Sequence, residues 1–160
     1  GILKGIISEY VDDSINLINA RVYADERGFK IKEVTSNKTK TFSDLITIRM
    51  PKNEEYKSIS ATLFGDGDYR VVDIDGYGLE MRLEGDLLLY QNEDKPGMLA
   101  SVSGALAKES INIGALSLGR ASKGSNAITA VAVDRKLSQE ETQNIQGMDG
   151  IKALRFISLS

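Results

Sequence analysis

The chain has 160 residues, of which 41% are apolar and 27% are charged, the composition of a globular protein that can bury a core. It carries 20 basic and 23 acidic residues, and the net charge of −3 argues against binding to nucleic-acid phosphates. Cysteine and histidine are absent, which excludes disulfides, thiolate zinc sites, imidazole acid–base catalysis and the usual nucleophilic triads.

The first 28 residues predict a strand followed by a helix. Residues 1–8 are apolar with Lys4 interrupting them, which indicates a short strand. Asp12-Asp13-Ser14 offers helix-start side chains, and Arg27-Gly28 offers a helix stop. Between these signals, apolar residues recur at helical spacing. The expected helix face consists of Val11, Ile15, Ile18, Val22 and Tyr23.

Short strands are expected from residue 29 onward. Residues 29–35 alternate between apolar and charged side chains, the pattern of a half-buried strand. Asp75-Gly76 predicts a hairpin, because a type I′ turn needs positive φ at both central residues. One helix with several antiparallel strands makes an α+β unit. The expected strands are residues 29–35, 44–50, 56–64, 69–74 and 77–83.

The second half predicts a different order of elements. Glu84-Gly85-Asp86 is the expected boundary between a first domain, residues 1–85, and a second, residues 86–160. In the second domain Ser138-Gln139-Glu140-Glu141 is a capping-box pattern that opens a helix. The order β-α-β-β-α-β is the ferredoxin-like arrangement. The expected elements are strand 87–92, helix 96–110, strands 113–120 and 127–134, helix 138–146 and strand 151–159.

Two motifs in the second half resemble the ACT family of effector-binding domains. Asp94-Lys95-Pro96-Gly97 is followed by an apolar residue and closes a predicted strand, and Ile111-Asn112-Ile113 follows the predicted helix. The resemblance implies a small module that binds an effector, usually an amino acid, and regulates a metabolic enzyme.

The first half resembles the intervening, allosteric-substrate-binding domain of long-type D-3-phosphoglycerate dehydrogenases. The matching segments are Leu3-Lys4-Gly5, residues 16–20, Glu26-Arg27-Gly28, residues 62–65 and residues 72–76. This resemblance implies a regulatory region of L-serine biosynthesis without catalytic residues or a cofactor of its own. It further implies a cytoplasmic homo-oligomer joined through ACT domains, with intervening domains as a possible additional contact. NAD would belong to catalytic domains that precede Gly1, since no G-x-G-x-x-G motif occurs here.

A ligand site is predicted where the first strand of the second domain meets its helix. Asp94 can cap that helix, Pro96 is tolerated in the first turn, and Gly97 leaves the approach open. The amides of Gly97, Met98 and Leu99 would then face a ligand carboxylate. The alternative is purely structural, with Asp94 as a helix cap alone.

The resemblance adds a ligand and two asparagines to this site. It implies that L-serine binds between two ACT domains, with Asp94 near the ammonium and with Asn92 and Asn112 as donors and acceptors. Asn112 would come from the partner subunit. Asn92 departs from the larger His or Tyr of similar proteins, which bears on serine affinity. The structural alternative for Asn112 is a turn residue before a strand.

A second site is predicted on the hairpin. Arg70 and Arg82 lie five residues before and six after the Asp75-Gly76 pair, so the two guanidinium groups can meet across the strands. Together they would form a fork for phosphate or carboxylate, and the resemblance implies an anion site at this place. The alternative is that each arginine pairs with a carboxylate such as Glu80 or Asp68.

Other classes of function remain open on sequence alone. The β subunit of iron–sulfur L-serine dehydratases resembles the same two-domain pair. An autonomous enzyme is disfavoured because His, Cys and clustered acid pairs are absent. An RNA-binding module shares the β-α-β-β-α-β order, but residues 113–120 contain no aromatic residue for base stacking. No metal site, signal peptide or membrane span is expected, and the start at Gly1 suggests a piece of a longer protein.

Overall fold

The computed structural model describes residues 1–8, 15–36, 41–52, 55–65 and 67–159. The chain divides into two units, residues 1–38 and residues 39–160. In the part that the structure describes, no helix is both long and apolar enough to cross a membrane.

The first unit contains two short helices, α1 (Ile2–Ser8) and α2 (Ala20–Glu26). The chain enters α2 through a turn in which Asn16 Oδ1 accepts hydrogen bonds from the amides of Ile18 and Asn19, both at 2.9 Å. Asn19 Oδ1 accepts in return from the Asn16 amide at 2.8 Å. Asparagine side chains suit such a helix entry because they bond backbone amides that the helix leaves unpaired. The small core of this unit comprises Ile7, Ile15, Ala20 and Ala24.

Three predictions for the first unit are wrong. The helix expected to end at Gly28 begins only at Ala20, so Ile18 lies outside it and is 89% exposed, and Val22 is 55% exposed instead of facing a core. Residues 2–8 form a helix and not a strand, because Leu3 and Ile7, four residues apart, both join the apolar cluster from one helix face. Residues 29–35 form no strand, since no described strand pairs with them and the Val34 side chain is 75% exposed. The helix start predicted at residues 12–14 lies outside the described residues, as does Val11. The predicted stop at Gly28 is confirmed, with φ of 76°.

The first sheet lies in the second unit and is fully antiparallel. Its strands are β1 (Leu45–Lys52), β2 (Glu55–Phe64), β3 (Asp68–Ile74) and β4 (Tyr77–Arg82), in the order β1-β2-β3-β4. The predicted hairpin is confirmed, with φ of 54° at Asp75 and 83° at Gly76. Strand β1 continues past Pro51 instead of ending there, which an edge strand tolerates because one side of it needs no hydrogen-bond donors.

The second sheet confirms the ferredoxin-like arrangement and hence the α+β class. Its elements are β5 (Gly85–Glu93), α3 (Met98–Lys108), β6 (Ile113–Arg120), β7 (Asn126–Val133), α4 (Gln139–Gln146) and β8 (Ile151–Leu159). The strand order is β6-β7-β5-β8, with antiparallel pairing throughout. The capping box that opens α4 is present, since the Glu141 amide donates to Ser138 Oγ at 3.2 Å and the Ser138 amide donates to Glu141 Oε2 at 2.7 Å.

Successive residues of β5 supply two separate cores. Leu88 and Tyr90 point to the helix side, where they pack with Val102 and Leu106 of α3. Leu87 belongs to the opposite face, which packs on the first sheet. The residues of that second core are Val71, Leu79, Met81, Leu87, Ile128 and Ala130. The domain boundary predicted between residues 85 and 86 falls where β4 gives way to β5, inside the second unit, and stays a prediction.

Candidate functional site

The end of β5 carries a buried polar side chain with an unused acceptor. Asn92 is 3% exposed, and its Nδ2 donates to the Glu93 carbonyl oxygen at 2.6 Å. Its Oδ1 is buried and has no hydrogen-bond partner in the described part of the chain. A buried polar atom without a partner costs on the order of 1–3 kcal/mol, so an acceptor in this state is suited to an incoming donor.

The loop from β5 to α3 is fixed by neighbouring segments. The Asp94 amide donates to the Ser125 carbonyl oxygen and the Glu93 amide to that of Gly150, both at 2.9 Å. Lys95 Nζ lies 2.7 Å from Asp149 Oδ2, and this hydrogen bond is the main reason why the pKa of Lys95 is raised. The loop therefore presents Asp94 and the start of α3 in a defined geometry.

Asp94 does not cap the helix, contrary to the prediction. The N-cap of α3 is Gly97, with φ of 90°, and Asp94 Oδ2 accepts instead from the Gly124 amide at 3.1 Å and from Arg120 Nη1 at 3.3 Å. Asp94 lies three residues before this N-cap, and no side chain caps the helix. The hydrogen bond from Gly124 is the first cause of the lowered pKa of Asp94, with Arg120 adding to it, so this carboxyl is ionised at neutral pH.

The start of α3 supplies unpaired backbone donors. Among the described residues, no atom accepts a hydrogen bond from the amides of Gly97, Met98 or Leu99. The Met98 side chain is buried, while that of Leu99 is 39% exposed. A helix start with unpaired amides attracts anions, and Gly97 adds no side chain that would cover it.

Asn112 lies at the opposite end of the second sheet from Asn92. Asn92 pairs with Ala127 across β5 and β7, whereas Ile113 pairs with Val133, six residues further along β7. The two ends are therefore about 20 Å apart along the strands. Asn112 Nδ2 donates to Asp134 Oδ2 at 2.9 Å. Within one chain the structure thus brings Asn92, Asp94 and the amides of residues 97–99 into one region and leaves Asn112 outside it.

Arg120 and Gly124 contact Asp94 but were not among the predicted site residues. Arg120 closes β6 and pairs with Ala127, the same residue that Asn92 faces, so the sheet register carries it to the site end. The available signal was an arginine at the end of a predicted strand, directly before the polar loop of residues 122–125.

The predicted arginine pair on the hairpin is in register but surrounded by acids. Arg70 and Arg82 are direct cross-strand partners. Arg70 bonds both Asp68 and Glu80, and Arg82 Nε lies 3.2 Å from Asp68 Oδ1. The Arg70 side chain bonded to Asp68 is the first cause of the lowered pKa of that carboxyl. The geometry matches the carboxylate-pairing alternative, and any other anion has to compete with Asp68.

Both units of the chain are similar in sequence to known proteins. Residues 1–75 match the family model described as the D-3-phosphoglycerate dehydrogenase intervening domain. Aligned segments of whole D-3-phosphoglycerate dehydrogenases extend over both sheets, to 99% of the chain. The chain is similar to the C-terminal part, about 30%, of D-3-phosphoglycerate dehydrogenases, which includes their intervening domain. The D-3-phosphoglycerate dehydrogenase of Bacillus subtilis is 27% identical over 158 residues, and that of Archaeoglobus fulgidus is 27% identical over 160 residues. D-3-phosphoglycerate dehydrogenase 3, chloroplastic, of Arabidopsis thaliana is 30% identical over 172 residues.

The match covers only part of those dehydrogenases. The chain spans 29–30% of the length of these three curated relatives. The activity in their name therefore belongs to proteins about three times as long, and the site at the end of β5 lies beyond the 75 residues of the intervening-domain match.

Proposed function

We propose that this chain is the serine-sensing region of a D-3-phosphoglycerate dehydrogenase and binds L-serine at the end of β5. The observation that carries the proposal is the ionised Asp94 beside the unpaired amides of α3, in a chain similar to such dehydrogenases over 99% of its length. The Asp94 carboxylate complements the ammonium group of a free amino acid, and the amides at the start of α3 complement its carboxylate.

Each group of serine has a complementary partner at this site. Asp94 accepts the ammonium group, and the amides of Gly97, Met98 and Leu99 receive the carboxylate. The hydroxyl group donates to Asn92 Oδ1, which lacks a donor in the described residues. Asn112 of the partner subunit completes the site across an ACT–ACT interface, because within one chain Asn112 lies at the other end of the sheet.

Feedback inhibition is the proposed purpose of the binding. Serine held between two copies ties the subunits together and biases the NAD-dependent catalytic domains of the parent enzyme toward a less active state. The coupling free energy that such regulation needs is typically ~1–3 kcal/mol, which a few charge-assisted hydrogen bonds supply.

Calorimetric titration of the 160-residue chain with L-serine, D-serine and glycine tests the proposal. We expect saturable binding of L-serine, weaker binding of glycine for lack of the hydroxyl group, and weaker binding of D-serine because its ammonium and hydroxyl groups cannot both reach their partners. Sedimentation with and without L-serine reports whether binding favours a dimer. No saturable heat with L-serine at millimolar concentration would remove the assignment.

We also propose, as a second function, that Arg70 and Arg82 bind a phosphorylated ligand. The observation in favour is their direct pairing across β3 and β4, which holds two guanidinium groups side by side. A phosphate would have to displace the carboxylates of Asp68 and Glu80 from the two arginines.

A further inference from the structure

In the described part of the chain, Arg120 at the end of β6 is the side chain that forms an ion pair with Asp94. Arg120 Nη1 lies 3.3 Å from Asp94 Oδ2, with the arginine side chain 55% exposed and that of Asp94 19% exposed. The pair therefore lies at the surface end of the proposed serine site, where a ligand entering from solvent meets it.

The two members of this pair differ in what else they contact. Asp94 keeps the Gly124 amide at 3.1 Å, so it remains anchored when Arg120 moves away. Within the described ranges, Arg120 has no hydrogen bond or ion pair besides the one to Asp94. An exposed pair of this kind contributes little stability, which makes Arg120 the member that is easily released.

We infer that Arg120 is a specificity residue that exchanges Asp94 for the carboxylate of the amino acid. This inference rests on the proposed serine site. The ligand ammonium takes the place of the guanidinium at Asp94, and the released guanidinium binds one carboxylate oxygen while the α3 amides bind the other. An arginine–carboxylate contact is charge-assisted and directional, so the site selects a ligand that carries both charges on one carbon.

If this exchange occurs, Arg120 should favour L-serine over L-serinamide. L-serinamide keeps the ammonium and hydroxyl groups of L-serine but replaces the carboxylate with a neutral amide. In Arg120→Gln, the ratio of the dissociation constant for L-serinamide to that for L-serine falls at least about tenfold, because only L-serine offers Arg120 a carboxylate in place of Asp94. Binding of L-serinamide stays equal or becomes tighter, because its ammonium no longer competes with Arg120 for Asp94. The preference for L-serine over L-serinamide therefore collapses.

Calorimetry with both ligands on matched variants tests the inference. Arg49→Gln on β1 is the control, since it removes the same charge from the first sheet, and it should keep the wild-type preference. Arg120→Lys retains the charge but not the planar guanidinium group, so its preference for L-serine should lie between those of wild type and Arg120→Gln. An intermediate preference also shows that the effect does not arise from misfolding. If Arg120→Gln weakens the binding of both ligands equally, or leaves the preference for L-serine unchanged, the inference about Arg120 is wrong. Such a result does not contradict the proposed serine site. If the wild-type chain binds no L-serine, the proposed function itself fails.

Discussion

Replacing Gly119 with alanine should force the two sheets apart. An alanine Cβ at this position would lie 2.3 Å from the carbonyl oxygen of Gly78 and 2.9 Å from its carbonyl carbon, whereas ordinary contact begins near 3.4 Å. Both obstructing atoms are backbone, so neither can rotate away. Strands β4 and β6 must therefore separate by about 1 Å, the difference between the 2.3 Å approach and an ordinary contact of 3.4 Å.

The loss of stability in Gly119→Ala follows from the contacts between β4 and β6. Overpacking costs roughly 1–3 kcal/mol, and separation stretches the 2.8 Å bond from the Glu80 amide to Ser117 Oγ, worth about 1 kcal/mol. Alanine recovers about 0.4–1 kcal/mol by restricting the unfolded chain. We expect Gly119→Ala to lower the free energy of unfolding by about 1–3.5 kcal/mol, a fall of about 2–14 °C in Tm for a chain of this size.

Two glycines nearby serve as matched controls. Gly114 lies on the same strand, and its nearest contact for an added Cβ is Asp134 Oδ1 at 3.6 Å. Gly78 is the other half of the contact, and its own Cβ would meet nothing within 4 Å. Thermal unfolding followed by circular dichroism should show Gly114→Ala and Gly78→Ala near wild type. A Tm of Gly119→Ala within 2 °C of Gly114→Ala would refute the reasoning about the close approach.

Three further predictions concern charged groups. Asp94→Ala in the full-length parent enzyme should raise the serine concentration for half-inhibition at least about tenfold without changing the uninhibited turnover. The assay is NADH formation, and unaltered inhibition would contradict the assigned role of Asp94. Arg82→Ala should weaken phosphate binding by the chain in a titration, and equal binding by both proteins would remove the anion site. Arg135 and the Ser138 amide lower the pKa of Glu141 from 4.5 to about 2, so its stabilising effect is complete above about pH 4.5 and lost as the pH falls toward 2. The difference in Tm between wild type and Glu141→Gln should therefore shrink over that interval, and a constant difference would contradict the capping role.

Short-range signals in the sequence determined parts of both sheets. Strands β6 and β8 have the bounds predicted from the sequence, and the Asp75-Gly76 hairpin and the capping box before α4 are as expected. These features depend on residues a few positions apart, where backbone preferences and side-chain reach decide the outcome without help from the rest of the chain.

Only the tertiary structure decided the features that depend on distant partners. Residues 1–8 are too few for apolar pattern to separate helix from strand, and packing made them a helix. Asp94 was expected to cap its own helix, but Arg120 and Gly124, 26 and 30 residues further along, hold it instead. The unused acceptor of Asn92 and the 2.3 Å approach at Gly119 likewise arise from sheet pairing and packing, which a linear reading cannot supply because they join segments far apart in the chain.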